Sequence, residues 1–320
     1  MSLADFTAAT ADMRRIAGGT FLMGSNDHYP EEAPARPVEV DPFWIDDTPV
    51  TNRAFAAFVA ATGHVTMAET APRAEDYPGA DPAMLRPGSS LFSPPSAPVP
   101  LHDPFAWWRF EFGADWRHPY GAESNIDDLL DHPVVHVAHN DARAYAAWAG
   151  KRLPSEAEWE CAARGGLEGA AYAWGDELAP NDAMLANYWR GQFPWQRDMI
   201  DGFARTSPVR SYAANPFGLY DMIGNVWEWT DDWYADAGVL AAANSCCVPR
   251  NPRGAARVQS YEPGVPSGFP RKVLKGGSHL CAEAYCRRYR PAARYAQTID
   301  SSTSHIGFRC ARDDSSELHD

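Results

Sequence analysis

Along the first third of the chain, apolar positions come in short runs and then switch to a helical spacing. Residues 13–25, Met-Arg-Arg-Ile-Ala-Gly-Gly-Thr-Phe-Leu-Met-Gly-Ser, predict a short strand, a glycine turn and a second strand. Val38 to Ile45 predicts another strand, closing on Phe43-Trp44-Ile45. Phe55, Phe58, Val59 and Thr62 then repeat at i, i+3, i+4 and i+7, with Thr51 as N-cap and Gly63 as the stop. Two more helices are expected. One is Asp141–Ala149, capped by Asn140 and ended by Gly150. The other opens on the capping box Ser155-Glu156-Ala157-Glu158, runs to about Arg164 and stops at Gly165-Gly166.

Between these elements neither period holds. Residues 70–131 contain prolines from Pro72 to Pro104 that forbid long helices and central strands. Phe105, Trp107, Trp108, Phe110, Phe112 and Trp116 follow, and a disordered linker lacks such rings. The segment is expected to be an ordered excursion, with plain packing favoured over walling a cleft. His132-Pro-Val-Val-His136-Val-Ala-His139 would line three imidazoles along a helix. Pro133 and the β-branched run predict a strand instead, with His139 facing away from His132 and His136. From Gly165 to Tyr261 periodicity is scarce, and bound cations are a natural way to pin such a stretch. Two groups of oxygen donors there suit calcium: Asn187-Tyr188 with Asp201-Gly202-Phe203, and Asp221 to Glu228. Neither has EF-hand spacing, and Asx turns and caps explain the same residues.

Composition narrows the partners. The chain has 320 residues, 45% hydrophobic, with 12 Trp, 13 Tyr and 14 Phe, enough for a substantial core. The 27 Pro and 24 Gly favour turns over long regular elements. A formal net charge of −14 repels phosphate backbones and anionic headgroups, so no nucleic acid and no membrane partner is expected. Met1 to Ala8 lacks the basic start and apolar run of a secretion signal. No stretch approaches the roughly 18 apolar residues that span a bilayer. Six cysteines are sparse for this length, so a cytoplasmic protein with reduced thiols is expected. Cys246-Cys247 reads as two free thiols in a loop rather than a vicinal disulfide.

The most informative chemistry lies in residues 275–290, which contain Cys281 and Cys286. Five helical steps separate their side chains by about 140°, and an odd offset on a strand puts them on opposite faces. They converge only if the backbone turns between them. Two converging thiolates without other soft ligands suit copper(I). A disulfide, a half zinc site completed by His279 or His305, and unrelated buried thiols remain open on spacing alone. Arg287, Arg288, Arg290 and Arg294 tilt the balance toward reactive thiolate.

Gly-Gly-Thr-Phe-Leu-Met-Gly-Ser (18–25), Pro49-Val50-Thr51-Asn52, Lys151-Arg152-Leu153-Pro154-Ser155-Glu156-Ala157-Glu158-Trp159-Glu160, Gly224-Asn225-Val226-Trp227-Glu228-Trp229, Lys275-Gly276-Gly277-Ser278 and Gly307-Phe308-Arg309-Cys310 occur in this order. The series closely resembles the formylglycine-generating enzymes, the sulfatase-modifying factors, over roughly residues 13–312. Most of these motifs mark only the broader superfamily; Cys281 and Cys286 after Gly-Gly-Ser mark its aldehyde-generating branch. The resemblance implies one domain over residues 1–320, of irregular α+β class with a variant C-type-lectin-like fold. It implies an oxidoreductase that uses dioxygen and copper(I) to convert the cysteine of a Cys-x-Pro-x-Arg segment, in an unfolded sulfatase, to Cα-formylglycine. In that chemistry Cys281 and Cys286 hold the copper, the substrate thiol joins them, and hydrogen loss from the substrate β-carbon gives a thioaldehyde that water converts to the aldehyde.

The resemblance also places Ser278 near the oxygen site, Trp227 as an apolar wall, and Tyr285 and Arg294 in the pocket. It makes the oxygen clusters structural calcium sites: Asn187 and Asp201 with the carbonyls of Tyr188 and Phe203, and Asp221 and Glu228 with those of Gly224 and Val226. Pro291 stands where secreted animal members carry a paired cysteine, and Cys161 sits near but not at their partner position for Cys310. No structural disulfide is therefore expected. His305 replaces an asparagine of the animal pocket. Two alternatives differ in kind. A catalytically silent lectin-like binding paralogue would not need both thiols. An iron-dependent sulfoxide synthase needs an N-terminal bundle and a His-x-x-x-His-x-Glu pattern, and Ala138 replaces that acid here.

Overall fold

The computed structural model describes residues 11–236, 247–264 and 268–314. Cys246 and the first ten residues lie outside them, so the readings of the Cys246-Cys247 pair and of the N-terminus lie outside the described residues. Irregular backbone dominates. Among the described residues, four small sheets and three α-helices are embedded in it, the texture of the variant C-type-lectin-like fold.

Strand β1 (Met13–Ile16) pairs antiparallel with β4 (Phe43–Asp46), which also pairs with β11 (Ala311–Asp313), so the two ends of the domain share one sheet. The glycine turn after β1 is present, but β2 (Gly19–Met23) belongs to a separate hairpin with β3 (Arg36–Val40). The expected strand from Val38 to Ile45 is therefore two strands in two sheets. Asp41-Pro42 breaks it, and Arg250 and Asn251 grip the Asp41 carboxylate at that corner.

Helix α1 (Asn52–Thr62) starts and stops as expected. The Thr51 hydroxyl accepts from the Ala54 N–H, and Gly63 ends the helix at φ 68°. Phe55, Phe58 and Val59 are buried, whereas Thr62 is exposed and donates to the Phe58 carbonyl. Helix α2 (His139–Trp148) begins two residues earlier than predicted. Ala138, not Asn140, stands at its N-cap. Asp141, three residues in, accepts from the Ala138 N–H, so the cap needs no side-chain oxygen of its own. Helix α3 (Glu156–Arg164) has the reciprocal capping box: Glu158 N–H donates to Ser155 Oγ, and Ser155 N–H to Glu158.

The segment 132–139 is not a strand. His136 takes φ 59°, and only Pro133 makes an isolated bridge, to Thr51. Its three imidazoles part company. His132 pairs with Thr206 Oγ1, His136 with Ser89 Oγ and the Pro119 carbonyl, and His139 packs on Trp229. The Pro-rich excursion carries a hairpin, β5 (Gly88–Phe92) with β6 (Trp108–Phe112).

The sheet that positions the site has the order β10-β7-β8-β9, built from β7 (Trp227–Trp233), β8 (Arg271–Lys275), β9 (Arg294–Thr298) and β10 (Ile306–Gly307). Strands β8 and β9 pair antiparallel from Arg271↔Thr298 to Lys275↔Arg294. Their connection, residues 276–293, holds both candidate cysteines.

Candidate active site

Buried ion pairs fix the stems of that connection. Lys275, at the end of β8, donates to Glu160 at 2.9 Å, and Arg294, at the start of β9, clasps Glu156 at 2.7 and 3.0 Å. Glu156 and Glu160 lie one turn apart on α3, so one helix face anchors both ends of the loop. Burial pushes both carboxyls up, but the surrounding cations outweigh it and hold them below the ordinary range. Arg290 makes a two-point ion pair with Glu32, and Arg288 reaches Glu31 at 2.6 Å. Gly276 and Gly277 allow the close fold. A Cβ on Gly276 would stand 2.8 Å from the Met222 carbonyl, and one on Gly277 would stand 2.6 Å from that of Arg288.

Within the loop, the Tyr285 and Cys286 N–H groups both donate to the Ala282 carbonyl. That turn is the backbone reversal the cysteine spacing demands. It brings Cys281 Sγ and Cys286 Sγ to 3.1 Å, as two free thiols rather than a disulfide. Cys281 is buried and also accepts from the Ser278 N–H at 3.4 Å. Burial, together with Cys286, keeps Cys281 a thiol well above its ordinary pKa. The hydrogen bond from Cys281, helped by Arg288, lowers Cys286 to about 7 against the pull of burial. The pair therefore shares one proton, with thiolate character on Cys286.

Both sulfurs open on a cavity of about 380 Å³. Trp227, Tyr285, Trp107 and Trp108 wall it. Tyr285 stacks on Phe193 at 4.7 Å and meets Trp107 edge-on at 5.4 Å. Ser278 lines it, although its hydroxyl is engaged by the Leu280 N–H. His305 lines it too, packed on Trp108 at 4.8 Å, and burial holds that imidazole neutral with a pKa of about 3.

Arg294 is the exception among the expected pocket residues. It does not line the cavity, because Glu156 and the Ala235 carbonyl hold its guanidinium in the interior. Of the four arginines that favoured thiolate in the sequence, only Arg288 lines the cavity. Arg287 pairs with Glu283 at the surface, and Arg290 is buried on Glu32. The donor set fits a soft monovalent ion: two sulfurs within reach of one atom, in an apolar setting with one thiolate.

The first oxygen cluster fits a calcium ion poorly, because a guanidinium already occupies it. Arg197 Nη2 donates to Asn187 Oδ1 at 2.7 Å and to the Tyr188 carbonyl at 3.3 Å. The same nitrogen lies 3.8 Å from Asp201 Oδ2. Phe203 offers its N–H to Asp201 Oδ1. In the second cluster Glu228 is committed to Arg309, at 2.7 and 2.8 Å, and to Trp159 Nε1. Asp221 differs. It accepts from the Arg210 N–H, and burial raises its pKa to about 6, so a hard cation beside the Gly224–Val226 backbone would satisfy it.

Residues 3–314 match the family described as "Sulfatase-modifying factor enzyme 1-like domain". The chain belongs to the sulfatase-modifying-factor, or formylglycine-generating enzyme, family. It is 51% identical over 299 residues to the formylglycine-generating enzyme of Mycobacterium tuberculosis, covering 93% of this chain and 96% of that one. It is 45% identical over 315 residues to that of Streptomyces coelicolor, covering 95% and 90%. Among solved structures, PvdO from Pseudomonas aeruginosa has the same fold, with a TM-score of 0.60 at 23% identity over 94% of both chains.

The motifs that place the chain in the sulfatase-modifying-factor family are largely scaffold: Glu156 and Glu160 anchor the loop stems, and Trp159 and Arg309 clasp Glu228. Sequence reasoning missed Ser90, Trp107, Trp108, Phe193, Tyr295 and Gln297 as cavity residues. The excursion expected to be plain packing supplies Ser90, Trp107 and Trp108 to the wall. Its run of aromatics from Phe105 to Trp116 was the available signal.

Proposed function

We propose that this chain is a copper(I)-dependent oxidase that converts the cysteine of a Cys-x-Pro-x-Arg segment in an unfolded sulfatase to Cα-formylglycine, with dioxygen as acceptor. The observation that carries the reading is the Cys281–Cys286 pair, 3.1 Å apart at the wall of an open, aromatic-lined cavity. Cys281 and Cys286 would hold the metal. Copper(I), when bound, supplies affinity for the substrate thiol and a site for dioxygen reduction.

The protein's own part is placement. Cys286 presents a thiolate near neutral pH, and Arg288 keeps compensating positive charge beside it. The Ser278 N–H fixes Cys281. Trp227, Trp107, Trp108 and Tyr285 exclude bulk water from a cysteine side chain bound at the sulfurs. Ser90, Gln297, Thr303 and neutral His305 give the same cavity a polar side for backbone and dioxygen contacts. The conversion removes the thiol sulfur as H2S, places oxygen from water on the β-carbon, and draws two further electrons from an external reductant to complete dioxygen reduction to water. Asp221 with the carbonyls of Gly224 and Val226, beside Glu228, would hold one structural calcium ion. No helix among the described residues is long and apolar enough to cross a membrane, and we place the reaction in the cytoplasm on the reduced state of the thiols.

The test is mass spectrometry of a Cys-x-Pro-x-Arg peptide incubated in air with the copper(I)-loaded protein and a thiol reductant. The expected product is lighter by H2S less one oxygen, and its aldehyde is trapped by a hydroxylamine probe. A peptide of unchanged mass would identify a silent binding protein instead.

A further inference from the structure

We propose that Arg197 is a built-in counter-ion that takes the place of a divalent cation at the first oxygen cluster, so that this locus folds without metal. Three of the four residues expected to ligate calcium there, Asn187, Tyr188 and Asp201, face a single nitrogen, Arg197 Nη2. A calcium ion needs those oxygens at about 2.3–2.6 Å. With Nη2 at 2.7 Å from Asn187 Oδ1, ion and guanidinium cannot share the locus.

The guanidinium does what a cation would do. Its charge offsets Asp201, whose side chain is 6% exposed, and its hydrogen bonds hold the 187–188 backbone against the 197–201 turn. It also does something a spherical ion does not. Its second nitrogen, Nη1, donates to the His279 carbonyl at 2.8 Å, two residues before Cys281. The adjacent Trp189 N–H donates to the Cys281 carbonyl at 2.9 Å. The fork of one arginine thus ties the oxygen cluster to the cysteine loop, a directional link that follows from the planar geometry of the group. The Tyr212 hydroxyl donates at 2.7 Å to Asp201 Oδ2, the oxygen that faces Arg197. The side chains of Arg197 and Asp201 are both buried, and their opposite charges offset one another there. Among the described residues no guanidinium donates to the Asp221 carboxylate, although Arg309 clasps Glu228 beside it, and the calcium ion proposed for this chain is placed at Asp221.

The test is the calcium content of the full-length protein after loading with excess calcium and desalting, in the unmodified protein and in Asp201→Asn and Asp221→Asn. Asp201→Asn is expected to leave the calcium content unchanged, and Asp221→Asn to remove whatever the unmodified protein holds. An equivalent of calcium lost on Asp201→Asn, or retained by Asp221→Asn, overturns the proposal. Arg197→Ala gives the converse arm. It is expected to gain one equivalent of calcium, and a melting temperature that rises with added calcium. A folded Arg197→Ala protein that holds no more calcium than its parent also overturns it. None of these readouts involves copper or turnover, so they stand apart from the assignment of the active site.

Discussion

The cysteine loop and the oxygen-rich loops of residues 187–228 are neighbours built from equally irregular backbone, yet they treat positive charge in opposite ways. In the oxygen-rich region the protein supplies its own cations: Arg197 sits among Asn187, Tyr188 and Asp201, and Arg309 clasps Glu228. Around the two sulfurs the cations stand back. Lys275, Arg290 and Arg294 pair with buried glutamates behind the loop, leaving Arg288 alone at the cavity. The difference teaches that internal arginines here neutralise buried oxygen donors where the task is structural. The two sulfurs are left facing an open cavity, and that is where we propose the chemistry is done.

Replacing either sulfur ligand should break the open side of this comparison most severely. Cys286→Ser is expected to lower turnover at least about a hundredfold and to abolish copper(I) retention, because one thiolate is a poor site for the ion. Full activity in that variant would refute the ligand assignment.

The charges behind the loop come next. Glu160→Ala strands the fully buried Lys275 and is expected to cost about 3–5 kcal/mol in urea unfolding. Because Glu156 and Glu160 are held below the ordinary carboxyl range, their stabilisation is complete above the unfolded pKa of about 4.3 and disappears as pH falls through their folded values. Acid unfolding of the parent should therefore be sharper than that of Glu160→Gln; identical acid profiles would show that these pairs carry little.

Calcium removal should have a smaller effect, a few degrees in melting temperature, read at Asp221. The raised pKa of Asp221, about 6, has the opposite sign to the glutamates: without a cation, its contribution is lost as pH rises toward and through that value. Asp221→Asn should remove both the calcium effect and this pH sensitivity. An unchanged melting temperature after verified calcium removal counts against a structural ion.

The smallest expected effect is on the metal-free thiols. Iodoacetamide should label Cys286 with a rate that rises through about pH 7, while buried Cys281 reacts far more slowly. Equal rates at the two sulfurs would contradict a shared proton.

The sequence made visible what local chemistry decides. Thr51, Ser155, Gly63 and Gly165 delimit α1 and α3, and the spacing of Cys281 and Cys286 requires a turn that the Ala282 carbonyl provides. What stayed hidden depends on contacts between distant segments. The aromatics around Trp107 and Trp108 signal an ordered excursion, but nothing local says that it meets the cysteines more than 170 residues on. The resemblance placed Arg294 in the pocket, yet its partner Glu156 is 138 positions away and holds it in the interior. Arg197 carried no motif at all; only its placement among three oxygens gives it meaning. Asp41-Pro42 was a readable break that the hydrophobic run on either side obscured.

The most direct measurement is a copper(I) titration of the reduced protein, with the accessible thiols counted and X-ray absorption recorded at the copper edge. The account predicts one ion per chain, bound by two sulfurs, with Cys281 and Cys286 together protected from alkylation. A protein that takes up no copper(I), or whose bound ion leaves either cysteine freely alkylated, would contradict it.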